Sequence, residues 1–223
     1  MYKYEESKKA KEARIARIIE KLHEEYGSEP RIFLNFEKPW QLLVAVILSA
    51  QCTDERVNIV TKDLFRKYTT VESLAKADLG ELEKDINSIG LYKAKSKNLI
   101  ACAKALIENF DSKVPSDIDE LTSLAGVGRK TANVIRGNIY NIPSIVVDTH
   151  VKRVSKRLGL VKSDEPEKVE YELMKVLPRK EWILWNINII SLGRAICKAR
   201  NPMCKSCFLS SDCPSAGKLG QGA

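Results

Sequence analysis

Apolar residues recur along this chain at the spacing of a helix rather than of a strand. In the first such pattern, at 6–26, the apolar positions are Ala13, Ile15, Ile18, Ile19 and Leu22. Residues spaced at i, i+3, i+4 and i+7 share one helix face, so this pattern predicts an amphipathic helix. The stretch 39–50 is apolar almost all round, which is typical of a central, buried helix.

The same reasoning predicts helices along the rest of the chain, at 54–67, 71–76, 78–87, 92–110, 164–177 and 180–196. Asp54 is the expected N-cap of the first of these. Another helix is expected to end at Gly126, a new one to start after Gly128, and a further one to begin near Asp148. The apolar run at 145–147 is too short to imply a sheet. The patterning therefore predicts an all-α protein.

Composition narrows the class of protein. The 223 residues are 44% hydrophobic and 30% charged, as in a soluble globular protein. The longest apolar stretch, 42–48, is too short to cross a bilayer, and the charged N-terminus contains no signal core. We expect a cytoplasmic protein, at the nucleoid, or a nuclear one in a eukaryotic source. The net charge of +8 attracts nucleic acid, although ordinary solubility charge also explains it.

Two glycines separate helical patterns at Gly126-Val127-Gly128. Glycines permit a tight turn and a close approach of another backbone, and the N–H groups at the start of the next helix favour a phosphate oxygen. A nucleotide-binding P-loop is excluded, because that motif needs glycine immediately before its lysine and Arg129 stands there instead. A plain helix–turn–helix connection is the alternative to a phosphate site.

Four cysteines lie near the C-terminus in the pattern C-x6-C-x2-C-x5-C, at Cys197, Cys204, Cys207 and Cys213. Thiolates at such spacing can converge on one metal centre. Structural zinc usually takes two close Cys or His pairs, and only one close pair exists here. Two disulfides are a further alternative, although a reducing compartment disfavours them.

The segment LAGVGRKTANVI, at 124–135, resembles the helix–hairpin–helix of the endonuclease III family of DNA glycosylases. The resemblance extends over nearly the entire chain, and the cysteine spacing matches the family's iron–sulfur site without a gap. It implies one [4Fe-4S] cluster per chain, held by the four cysteines. It also implies two helical lobes with a central cleft. A six-helix barrel lobe would span 31–141, with the hairpin motif at about 118–137, and a cluster lobe would combine 1–30 with 142–223.

Two residues are candidates for catalysis. Lys130 stands in the first turn of the helix after the hairpin, where the helix N-terminus and Arg129 disfavour the ammonium form. Most lysines are solvated charges, but an unprotonated amine is what attack on a sugar carbon requires. Asp148 is expected to cap the next helix and can also stabilise positive charge on a ribose ring. The resemblance implies that Lys130 and Asp148 are the catalytic pair.

The resemblance also implies which residues bind DNA. Gln51 matches the glutamine that occupies the space left by an extruded base, and Leu91 matches the intercalating side chain of a wedge loop. Taken alone, they would be a helix-end glutamine and a core leucine. The hairpin residues Gly126, Gly128 and Arg129 are expected to face DNA phosphates, and His150 either contacts DNA or caps the helix that follows Asp148.

The function that the resemblance implies is base-excision repair. The chain would excise oxidised or ring-saturated pyrimidines through a Schiff base on Lys130 and then cut the strand 3′ to the abasic site by β-elimination. We expect a monomer that binds double-stranded DNA carrying damaged bases or abasic sites, and no membrane. The alternatives are a monofunctional glycosylase of the adenine-mismatch type, which usually lacks this lysine, and a non-catalytic DNA-binding module.

Overall fold

A computed structural model describes residues 6–218, which form eleven α-helices and no β-strand. The helices are α1 (Lys8–Tyr26), α2 (Pro39–Ser49), α3 (Asp54–Lys67), α4 (Val71–Ala75), α5 (Leu79–Asp85), α6 (Tyr92–Phe110), α7 (Ile118–Ser123), α8 (Arg129–Tyr140), α9 (Thr149–Arg157), α10 (Pro166–Val176) and α11 (Trp182–Ala195). The all-α prediction is confirmed. No helix of this described part is both long enough and apolar enough to cross a membrane.

Local capping chemistry explains where several helices begin and end. The hydroxyl of Thr53 accepts a hydrogen bond from the Arg56 N–H at 3.3 Å, so Thr53 is the N-cap of α3. The prediction that Asp54 caps this helix is wrong by one residue, and Asp54 instead places a negative charge in the first turn. The helix that was expected to end at Gly126 ends earlier, because Leu124 is already extended, with φ −74° and ψ 139°.

The described chain divides into two compact units. One of them, Ile32–Ile142, contains α2 to α8 and packs around α2. Nine consecutive residues of α2 are buried, as the apolar pattern over 39–50 predicts, and Leu42 and Leu48 are fully enclosed. A fully buried leucine contributes about 1.5–3 kcal/mol relative to an exposed one, so burial of α2 stabilises this unit substantially.

The other unit comprises the described residues up to Arg31 and those from Pro143 onward. Its core is built from α1, α9, α10 and α11, with Ile18, Val151, Leu173 and Ile189 fully or almost fully buried. The helix α11 packs against both α1 and α9. This arrangement brings the N-terminal helix together with the C-terminal segment that carries the four cysteines.

Candidate functional site

The turn between α7 and α8 depends on a glycine in the left-handed region. Gly126 has φ +79°, and a Cβ built on it would lie 3.1 Å from the Cβ of Asn98 and 3.3 Å from Ile47. Residues with side chains adopt this conformation rarely and at a cost. The Val127 N–H donates to the Leu124 carbonyl at 3.1 Å and closes the turn. Gly126 therefore lets the hairpin pack closely against α2 and α6.

The second glycine of the hairpin has a different surrounding. Gly128 is the N-cap residue of α8, with φ −94°, and no atom lies within 4 Å of a Cβ built there. The first N–H groups of an α-helix lack intrahelical acceptors, and the helix dipole favours an anion beside them. Lys130 lies in this first turn and is exposed. Open space, backbone donors and a cationic side chain together suit a phosphate group.

Asp148 lies in the other unit and is the N-cap of α9. Its Oδ1 accepts a hydrogen bond from the Val151 N–H at 2.7 Å, so the capping role expected from the sequence is confirmed. The residue is half-buried. Capping occupies one carboxylate oxygen and fixes the orientation of the group, while the second oxygen can still accept other donors.

His150 lies in the first turn of α9, two residues after Asp148. Burial lowers the pKa of His150, the Arg153 and Arg194 charges lower it further, and the Asp148 charge partly opposes them. Nη2 of Arg153 lies 3.2 Å from Nδ1 of His150. The Gly193 carbonyl accepts from the same Nη2 at 3.0 Å and also favours the protonated form of the His150 ring. A Cβ on Gly193 would lie 2.6 Å from this Nδ1, so α11 needs glycine here.

The four cysteines line one largely apolar cavity with about 400 Å³ of atom-free space, part of it open to solvent. Burial raises the pKa of the Cys207 and Cys213 thiols, and the nearby Cys197 raises it further. A buried thiol ionises when a bound cation offsets the negative charge of the thiolate. Nη1 of Arg157 donates to the sulfur of Cys197 at 3.3 Å.

Four thiols that line one cavity are a donor set suited to a metal centre. Within residues 6–218, no three His, Cys, Asp or Glu residues form a group that could hold a single metal ion. Cysteine thiolates are the usual ligands of iron–sulfur clusters, with four of them for a [4Fe-4S] cluster. Cys197, Cys204, Cys207 and Cys213 are the residues that would hold such a cluster.

Gln51 and Leu91 lie on two adjacent loops of the unit that contains the hairpin. Both are exposed, Leu91 by 59%, so Leu91 is not a core residue. Both have left-handed backbones, with φ 55° at Gln51 and φ 61° at Leu91. A Cβ on Gly90 would lie 3.4 Å from the Gln51 carbonyl oxygen, so the two loops touch. Two non-glycine residues in this region cost about 1–3 kcal/mol each.

Sequence patterns alone missed the side chains that hold these loops. Lys95 is buried on the inner face of α6, with Leu99, Cys102 and Leu106. Its ammonium group donates to the carbonyls of Leu48 and Ala50 at the end of α2. The signal in the sequence that could have identified Lys95 is its position, which falls on the apolar face of an amphipathic helix. Such a residue usually has a specific polar partner, because burying an unpaired charge is costly.

Comparisons with known proteins agree on one family. The family model described as "HhH-GPD superfamily base excision DNA repair protein" matches residues 44–179. The endonuclease III of Synechocystis is 46% identical over 211 residues, which cover 94% of this chain and 94% of that protein. The endonuclease III of Bacillus subtilis is 49% identical over 186 residues, covering 83% and 85% respectively.

Solved structures support the same assignment. A trapped covalent endonuclease III–DNA intermediate gives a TM-score of 0.87 at 44% identity, and the match covers 93% of this chain and 97% of that one. A thermostable thymine-DNA glycosylase, at 21% identity, shares the fold with a TM-score of 0.82 over 96% of this chain and 100% of that one. This chain belongs to the HhH-GPD superfamily of base excision DNA repair proteins and, within it, to the endonuclease III family.

Proposed function

We propose that this chain is a DNA glycosylase with AP lyase activity, and that Lys130 is its nucleophile. The observation that carries the proposal is the position of Lys130. It is exposed in the first turn of α8, immediately after a hairpin whose Gly128 faces open space, in a chain of the endonuclease III family. The substrate would be duplex DNA with oxidised or ring-saturated pyrimidines or abasic sites, and the place of action the cytoplasm, at the nucleoid.

Binding would begin at the DNA backbone. The open N-terminus of α8 supplies N–H donors for a phosphate, and the net charge of +8 speeds encounter with DNA. A base inside the duplex must leave the stack before its sugar can be attacked. Gln51 and Leu91 are exposed on touching loops and would fill the space left in the stack. Their positions support paired roles as hole-filling and wedge residues.

The chemical steps follow from an amine and a carboxylate. The Lys130 amine attacks the sugar carbon that carries the damaged base, a C–N bond forms, and the base departs with the electrons of its glycosidic bond. Ring opening gives a Schiff base, loss of a 2′ proton drives β-elimination, and the C3′–O bond breaks on the 3′ side of the lesion. Water then hydrolyses the Schiff base and frees the lysine.

Asp148 would stabilise the positive charge that develops on the sugar and shuttle protons. Its carboxylate is pre-oriented by the Val151 N–H, so it needs little reorganisation during the reaction. His150 follows Asp148 at the start of α9, and its Nδ1 lies 3.2 Å from Nη2 of Arg153. We propose that His150 supports the start of α9 or contacts DNA.

The [4Fe-4S] cluster would cross-link the C-terminal segment. Four ligands within seventeen residues fix the intervening loops, whose exposed Lys198, Arg200 and Lys205 would then meet DNA phosphates in a defined geometry. Arg157 binds the same segment through the carbonyls of Lys198 and Ala199. The cluster's contribution in this proposal is binding geometry, and no proton or electron of the reaction passes through it.

Borohydride trapping tests the proposal, because reduction of a Schiff base leaves a stable protein–DNA adduct. Duplexes carrying an abasic site and a panel of damaged bases are mixed with protein and borohydride. We expect an adduct with the intact chain and with Lys104→Ala, an exposed lysine on α6, and none with Lys130→Ala. Lys130→Ala is expected to keep binding abasic DNA, since the backbone donors of α8 remain.

Two outcomes would overturn parts of the proposal. Base release without any adduct or strand cut would identify a monofunctional glycosylase. An unchanged phenotype for Lys130→Ala would favour a non-catalytic binding module. Asp148→Asn tests the carboxylate separately, because asparagine still caps α9 but carries no charge. Full turnover by this variant would show that the role of Asp148 is structural only.

A further inference from the structure

Lys95 occupies an unusual place for a charged side chain. It is only 5% exposed, yet Nζ has neutral carbonyls as its acceptors, Leu48 O at 2.9 Å and Ala50 O at 2.5 Å. Burial lowers the pKa of this lysine, in accord with a desolvated ammonium group. The carbonyls at the end of a helix carry partial negative charge, which makes the end of α2 a favourable partner for a cation. Ala50 is the residue immediately before Gln51.

The same residue also contacts the second loop. The Lys95 backbone N–H donates to the Leu91 carbonyl at 3.0 Å, in the first turn of α6. One residue thus binds the segment before Gln51 through its side chain and Leu91 through its backbone. Gly90 completes the contact, since a Cβ there would lie 3.4 Å from the Gln51 carbonyl oxygen. Lys95 is therefore hydrogen-bonded to both loops.

We infer that Lys95 is a positioning residue that holds the Gln51 turn and the Leu91 loop in one fixed arrangement, so that both side chains enter the DNA stack together. The inference rests on the proposed function and deepens it. Both loops have left-handed backbones, which persist only where surrounding contacts hold them. Without the two hydrogen bonds from Lys95, the Gln51 turn can relax, and Gln51 no longer keeps its place beside Leu91.

The inference predicts that loss of Lys95 affects two reactions of the enzyme differently. Excision of a damaged base requires that the base leave the stack and that its space be filled. Trapping at a preformed abasic site involves no base to extrude, so it depends less on Gln51. Loss of Lys95 should therefore slow excision while it leaves abasic-site trapping almost intact. A general loss of structure would lower both rates together.

The test uses Lys95→Met, which keeps the length of the side chain and removes its donors. Lys104→Met removes an exposed charge from the same helix and is the control. In single-turnover assays we expect excision by Lys95→Met to fall at least about tenfold, or about 1.4 kcal/mol. Abasic-site trapping should stay within about twofold of the intact chain, a difference of about 0.4 kcal/mol. Equal losses in the two assays would overturn the inference.

A double-mutant cycle provides a second test that does not require Lys95→Met to fold. Gln51 and Leu91 are exposed, so Gln51→Ala and Leu91→Ala should leave the core intact. Two side chains that enter the stack as one unit give effects on excision that are not additive. Additive effects would mean independent loops and would overturn the inference. Absence of any adduct with the intact chain would refute the proposed function instead, so the two failures are distinguishable.

Discussion

Arg157 Nη1 lies 3.3 Å from the sulfur of Cys197, and the same guanidinium donates to the carbonyls of Lys198 and Ala199. Arg153, one turn earlier on α9, donates to the Cys197 carbonyl at 3.0 Å. Two arginines of one helix therefore hold the first cysteine of the C-terminal segment. Asp148 caps the beginning of that helix. The cysteine segment and the candidate catalytic carboxylate are thus attached to opposite ends of α9.

The first prediction concerns retention of the cluster. Arg157→Gln removes a charged donor to a thiolate, and such hydrogen bonds contribute about 1.5–3 kcal/mol. We expect faster loss of iron and of visible absorption in air than in the intact chain. Lys156→Gln is the control, because Lys156 is exposed and pairs with the exposed Asp164. Equal rates of iron loss in the two variants would show that the Arg157 contact contributes nothing to retention.

The second prediction concerns the attachment of α1 to the cysteine segment. Asp212 is buried, and its carboxylate pairs with Arg17 at 2.8 Å and Lys21 at 2.7 Å. We expect Asp212→Ala to lower the free energy of unfolding by about 1–3 kcal/mol, because the cations are partly exposed and partly screened. Thermal unfolding followed by circular dichroism measures the change. Glu12→Ala removes an exposed carboxylate from α1 and should have almost no effect.

The helical architecture was predictable because periodicity reports which face of a helix is buried. The patterns at 39–50 and 92–110 correspond within one residue to α2 and α6. Capping was less predictable, since Thr53 and Asp54 are both good capping residues and only the backbone decides between them. A residue in a turn, such as Leu124, ends a helix through its dihedral angles, which composition does not specify.

The residues around the candidate site also differ in how far the sequence alone identifies them. Lys130, Asp148 and the four cysteines lie in motifs that can be compared with a known family. Lys95 could not be assigned from the sequence, because its acceptor at Leu48 is 47 positions away in the chain. Arg157 likewise reaches Cys197 across 40 positions. Long-range contacts of this kind depend on how helices pack, and helical periodicity contains no information about them.

The third prediction concerns pH. The pKa of His150 is lowered in the folded chain, mainly by burial, from an unfolded value of about 6.5. Below about pH 6.5, His150 of the unfolded chain takes up a proton, whereas His150 of the folded chain does so only at a lower pH. The contribution of His150 to stability is therefore complete above about pH 6.5 and is lost as the pH falls through the folded pKa. Relative to His150→Gln, the intact chain should lose stability as the pH falls below about 6.5. A constant difference between the two unfolding curves would contradict the lowered pKa.

The two hairpin glycines should respond differently to alanine. Gly126→Ala places a Cβ at φ +79° and 3.1 Å from Asn98, so it should lower the free energy of unfolding by at least about 1–2 kcal/mol. Gly128→Ala should leave thermal stability almost unchanged, because its φ is −94° and its surroundings are open. Its new methyl group stands where a phosphate would approach, so DNA affinity should fall about tenfold, or about 1.4 kcal/mol. Thermal unfolding measures the change in stability, and titration with an abasic duplex measures the change in DNA affinity. Unchanged affinity in Gly128→Ala would place the phosphate elsewhere, because a phosphate bound at this hairpin must touch the backbone at the start of α8.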